Sequence, residues 1–204
     1  AWRSYTRAFI AEFAARGGDE YEATVRDFAS SENPDIAWRA RRALAARGLV
    51  DADAIEAWRS ADGSGEAARM SVEALASLPL EDARSRAWES VYSESLSNDF
   101  LTATLAGLNA SSWEGDSGLD SAVDRLRPYW EAHTIGMALR YANGVLAYGL
   151  DIDREGSVER SVGLLRGWLD AHGDAPAQLR RIVLEHLDAF ERDERVQRRW
   201  GSGQ

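Results

Sequence analysis

The spacing of apolar residues is helical almost from the first position. Trp2, Tyr5, Phe9 and Phe13 follow one another at intervals of three, four and four, which predicts a helix with one buried aromatic face, ended by Gly17-Gly18. Asp19 with Glu22 three residues on has the form of a capping box for the next helix. Asn33-Pro34 supplies an N-cap and an N1 proline for a helix through Leu44 that stops at Gly48. Asp51 is placed to cap a helix carrying Ile55 and Trp58, broken by Asp62-Gly63-Ser64-Gly65. Ser64 then opens a helix that runs to Leu78-Pro79. Another helix begins at Glu81-Asp82, where acidic residues suit the dipole.

Ser97-Asn98 precedes Leu101, Thr104, Leu105 and Leu108, an i, i+3, i+4, i+7 series, with Asn98 read as a cap. The Gly/Ser-rich stretch 109–118 reads as a loop. The pattern resumes at Leu119, with interruptions expected at Pro128 and Gly144. Val158, Val162, Leu165, Trp168 and Leu169 make one amphipathic helix. Leu179, Ile182, Val183, His186, Leu187 and Phe190 make a longer one, opened by Asp174 and Pro176, and 200–204 reads as a frayed tail.

No segment alternates like a strand. The expectation is an all-α chain: about ten helices of roughly 8 to 20 residues, stacked as antiparallel pairs in an irregular superhelix with HEAT- or armadillo-like geometry. Trp38, Trp58, Trp88, Trp130 and Trp168 recur at no fixed interval, so no sequence repeat underlies it. A chain of 204 residues with 45% hydrophobic content suffices for a single helical domain over 1–204.

Charge narrows the partners. Thirty-four acidic residues stand against 24 basic ones, giving a net charge of -10, and every basic residue is Arg. Such a surface repels a phosphate backbone, so nucleic acid is not an expected partner. No apolar run approaches the ~18 residues of a membrane span, and no signal peptide opens the chain. The absence of Cys removes disulfides and thiolates and accords with a reducing cytoplasm. The start at Ala1, inside helical periodicity, is what a segment of a longer polypeptide would show.

Candidate chemistry is sparse. His133, His172 and His186 do not form His-Glu-x-x-His, and His186 lies on an apolar face as a packed histidine would. The run Asp151-Ile152-Asp153-Arg154-Glu155-Gly156 begins like a calcium loop, but Val162 stands where the bidentate Glu would be, so it reads as an acidic turn between helices. No nucleophile elbow, dinucleotide fingerprint or phosphate loop occurs. Trp88 reads as a core anchor, and Arg180 and Arg181 as solvated or paired with nearby Glu. No catalytic, cofactor-binding or metal-binding residue is assigned to the chain.

Three segments carry a resemblance. The first is Trp38-Arg39-Ala40-Arg41-Arg42-Ala43-Leu44-Ala45-Ala46-Arg47-Gly48-Leu49, followed by the helix at Ile55 and the turn Asp62-Gly63-Ser64-Gly65-Glu66. The second joins Leu78-Pro79-Leu80-Glu81-Asp82-Ala83-Arg84-Ser85-Arg86-Ala87-Trp88 to Leu96-Ser97-Asn98 and on through Gly107-Leu108. The third is Ala175-Pro176-Ala177-Gln178-Leu179-Arg180-Arg181-Ile182-Val183-Leu184-Glu185, continuing to Asp188 and Arg192. In order and spacing these resemble the C-terminal helical domain of aminopeptidase N-type zinc metallopeptidases, the group that includes the endoplasmic-reticulum aminopeptidases, and in particular its actinobacterial branch. Leu108 stands where the family has Phe, and the likeness thins over 109–150, where Arg127-Pro128-Tyr129 is similar to a Pro-Tyr position and Tyr148-Gly149 replaces Phe-Pro.

The resemblance implies a division of labour. The parent enzyme releases N-terminal amino acids from peptides. Its zinc sits in an upstream catalytic domain with His-Glu-x-x-His ligands, and the helical domain covers that site as part of the substrate chamber. The implied partners are that upstream domain and peptide substrates. The fragment alone is then inactive and cytoplasmic. A free-standing helical-repeat interaction scaffold is the alternative, and an all-helical carboxylate enzyme a weaker one.

Overall fold

The structure is a computed structural model that describes residues 2–93, 96–111, 118–147 and 157–201. Every regular element among them is helical: α1 (Trp2–Arg16), α2 (Asp19–Ala29), α3 (Pro34–Ala46), α4 (Ala52–Ala61), α5 (Gly65–Ala76), α6 (Glu81–Val91), α7 (Asn98–Ala110), α8 (Leu119–Asp124), α9 (Leu126–Ala132), α10 (Ile135–Ala147), α11 (Ser157–Ala171) and α12 (Ala177–Gly201). The expected all-α fold is what forms. Packing gathers these helices into two compact units, residues 1–115 and 116–204.

In the first unit the odd-numbered helices α1, α3, α5 and α7 pack successively against one another, while α2, α4 and α6 lie against that row. This is the arrangement of stacked helix pairs, in which each pair buries its apolar stripe against the next. α3 is the centre of the row. Its residues Ile36, Ala37, Trp38, Ala40 and Ala43 through Ala46 are all buried, because alanines admit neighbours on several sides. Its start is the Asn33 side chain accepting from the backbone N–H groups of Asp35 and Ile36, with Pro34 at N1. Its end is a Schellman turn: Gly48 at φ 67°, Leu49 N–H to the Leu44 carbonyl and Gly48 N–H to the Ala45 carbonyl, both at 2.9 Å. Asp51 and Ser64 cap α4 and α5 as expected, accepting from Ala54 and Ala67 N–H.

α5 and α7 make the closest approach. Gly107 of α7 is buried against α5, and a Cβ there would strike the Glu73 carbonyl and come within 2.7 Å of the Ala76 Cβ. Across the α3–α5 contact, Glu73, nearly fully buried, accepts from Arg42 at 2.5 Å.

Several local expectations are corrected. In α1 the buried face is Thr6, Ile10 and Phe13; Trp2 and Tyr5 are 64% and 76% exposed. Among the described residues α1 packs chiefly on α3 and α2, and Trp2 and Tyr5 lie off that contact. Phe9 sits at the rim, edge-on to Tyr21 and Phe28. Asp19 does not form a capping box: it is the first residue of α2 behind Gly18, with no side-chain cap, and Glu22 pairs instead with Arg26 at 2.7 Å. Ser97, not Asn98, is the cap of α7.

In the second unit α10 and α11 both pack on α12, α8 lies against α10 and α11, and α9 against α10. Pro128 does not interrupt a helix, because it lies in the first turn of α9, where its missing N–H is no loss. Gly144 lies within α10, held by burial of Tyr141, Ala142, Val145 and Leu146 around it. α12 is longer than expected and stays helical through 200–201, inside the expected tail. The turn at 151–156 and Tyr148-Gly149 lie outside the described residues.

Candidate functional site

The residues singled out for chemistry sit on separate elements and each has a local partner. His133 follows α9, its Nδ1 3.0 Å from the Tyr129 carbonyl and its ring stacked on Tyr129. His172 follows α11, with Nδ1 2.9 Å from the Trp168 carbonyl. His186 is on α12, 3.5 Å from the Asn143 amide oxygen, and burial pushes its pKa below the ordinary 6.5 against the opposing effect of Glu185. Among the described residues no three His, Asp or Glu side chains converge to hold a metal ion, and no helix is long and apolar enough to cross a membrane. Trp88 is half-buried and stacks on Tyr92. Among the described residues of the first unit the fully buried indole is Trp38, whose ring carries the Arg41 guanidinium at 4.9 Å.

Arg180 is neither solvated nor paired with Glu. Its Nη1 donates to the carbonyls of Leu169 and His172, at 2.9 and 2.6 Å, closing the C-terminal end of α11 from the first turn of α12. Arg181 pairs with Glu185 at 2.7 Å, as the sequence suggested.

A shallow concavity lies within the second unit, between α8 and α11, with a volume of about 430 Å³. Its geometry follows from the two amphipathic patterns. α8 turns Leu119, Ala122 and Val123 inward, which leaves Asp120 and Asp124, one turn apart, on the groove edge. α11 buries Val158, Val162, Leu165 and Leu169. Its adjoining face presents Arg160, Gly163 and Gly167 along the floor. Arg160 donates to Asp120 at 3.0 Å in an exposed pair. Trp168 lines the wall, 4% exposed and stacked on His172 at 4.6 Å. Its indole Nε1–H is buried and has no hydrogen-bond acceptor among the described residues.

Sequence reasoning did not single out this groove. The signal was present as two i, i+4 pairs, Asp120 with Asp124 and Gly163 with Gly167, but pairing them needed the knowledge that α8 lies across α11. Chemically the groove offers two carboxylates, one guanidinium and a low glycine floor. No protein-family model matches the chain, and no curated protein matches it.

Proposed function

We propose that this chain is the C-terminal helical domain of an aminopeptidase N-type zinc aminopeptidase, a wall of the chamber over an active site carried by an upstream domain. The observation that supports it is the ordered set of three segments resembling that family, each of which has a definite structural task. Trp38 to Leu49 is the buried central helix with its Schellman stop. Leu78-Pro79 is the turn from α5 to α6, and Ser97 caps α7 by accepting from Phe100 N–H. Ala175 to Arg192 opens α12 and includes the Arg180 clamp on α11.

In this reading the zinc and its His-Glu-x-x-His ligands belong to the preceding domain of a cytoplasmic enzyme, and peptides are what the wall faces. Stacked helix pairs suit a wall because short rigid units share one continuous core. Neither nucleic acid nor membrane is a partner. The purified chain, supplied with zinc and an aminoacyl reporter, is expected to show no turnover above buffer. Zinc-dependent release of the amino acid by the chain alone would refute the division of labour and favour a helical enzyme in its own right.

A further inference from the structure

Among the described residues, the two most exposed large apolar side chains stand on one helix. Trp2 and Tyr5 of α1 are 64% and 76% exposed, and Tyr21 of α2 is 45% exposed. Trp2, Tyr5 and Phe9 follow one another at i, i+3 and i+7 and so share a face of α1. Phe9 stands edge-on to Tyr21 at 5.5 Å and to Phe28 at 6.1 Å, which makes the open rings the outer edge of a contact already formed between α1 and α2. The packing of α1 within its unit uses other side chains: Ile10 and Phe13 belong to the buried cluster shared with α2 and α3. At ~150–250 Å² per ring, the three exposed rings leave on the order of 300–450 Å² of aromatic surface in water, a size at which a surface patch is often functional. Arg3 beside Trp2 and Glu20 beside Tyr21 make no ion pair among the described residues, so the two ends of this edge carry free charges of opposite sign.

We propose that an amphipathic helix of the same polypeptide, from the part that precedes Trp2, packs across this edge. Its apolar stripe covers Trp2, Tyr5, Phe9 and Tyr21, with an acidic side chain beside Arg3 and a basic one beside Glu20. The area selects this occupant over a separate molecule. A stable complex between separate chains buries ~800 Å² on each partner, about twice what the rings supply. A covalently joined helix needs far less, because its effective concentration is already on the order of millimolar. Aromatic rings edged by an arginine are also the composition of a contact that carries binding energy in a small area. The edge is then the seam between this domain and the upstream one, an assignment that rests on the reading proposed above.

The test is hydroxyl-radical footprinting, read by mass spectrometry, on the full-length polypeptide and on this chain alone. Trp2 and Tyr5 are expected to label at least about threefold less in the full-length protein, as a seated aromatic loses most of its accessible area. Tyr5→Glu should return Trp2 labelling in the full-length protein to the level of the chain alone, while the urea midpoint of the chain alone stays unchanged, since Tyr5 is exposed there. Equal labelling in the two proteins overturns the proposal. So does protection that appears in the chain alone as its concentration rises, which would make a second copy the occupant. Protection in a full-length protein that lacks an upstream His-Glu-x-x-His keeps the seam and removes the aminopeptidase reading; equal labelling with that motif present does the reverse.

Discussion

Glycine has opposite meanings at different positions in this chain, and its effects are measurable. Gly107→Ala places a methyl group against the Glu73 carbonyl and the Ala76 Cβ. Overpacking of that kind should cost about 1–3 kcal/mol, read as a lower urea midpoint at unchanged slope. Gly163→Ala and Gly167→Ala meet open space. Each should stabilise the fold by about 0.5–1 kcal/mol through helix propensity, measured the same way. A loss of stability in either would mean that the α11 glycines do serve packing. What the sequence made legible at this scale was mainly local chemistry: Asn33, Asp51 and Ser64 cap their helices because an N-cap needs only its own following turn. The false capping box at Asp19 shows the limit, since Gly18 at φ 122° starts the helix one residue earlier and Arg26 takes Glu22 away.

Between elements, the question is which face finds a partner, and local periodicity cannot answer it. Trp2, Tyr5, Phe9 and Phe13 share a stripe, yet of these only Phe13 is buried, because α3 and α2 pack against a face of α1 centred on Thr6, Ile10 and Phe13. Arg180 likewise looked like a surface residue until α11 ended beside it. One ionic link between elements makes a pH prediction. Asp35 of α3 accepts from Arg7 of α1 and Arg39 of α3, at 2.9 and 3.0 Å. Partial burial raises its pKa, but the hydrogen bonds and charges of the two guanidinium groups outweigh this and hold it below the ordinary 3.8. The folded carboxyl thus stays ionised to lower pH than the unfolded one, and the folded state binds fewer protons. Its stabilisation is present above the unfolded pKa and is lost as pH falls through the folded one. Asp35→Asn should therefore lower stability modestly near neutrality and make the decline below about pH 4 shallower. Urea unfolding at stepped pH reads this directly; identical acid limbs for the two proteins would remove Asp35 from the account.

At the scale of the whole molecule, an all-helical chain was legible because helical periodicity, caps and breakers agree along most of its length. The grouping into units at 1–115 and 116–204 was not, since it depends on which distant helices pack together. The groove was hidden for the same reason: its two acidic residues and its two glycines are some forty positions apart along the chain. The central claim is that the helices wall a zinc site supplied by an upstream domain, and the coding sequence preceding Ala1 tests it most directly. The account predicts, within a few hundred residues upstream in the same reading frame, a Gly-x-Met-Glu-Asn segment followed by His-Glu-x-x-His. A reading frame that opens near residue 1, or one that extends upstream without that pair, would contradict it.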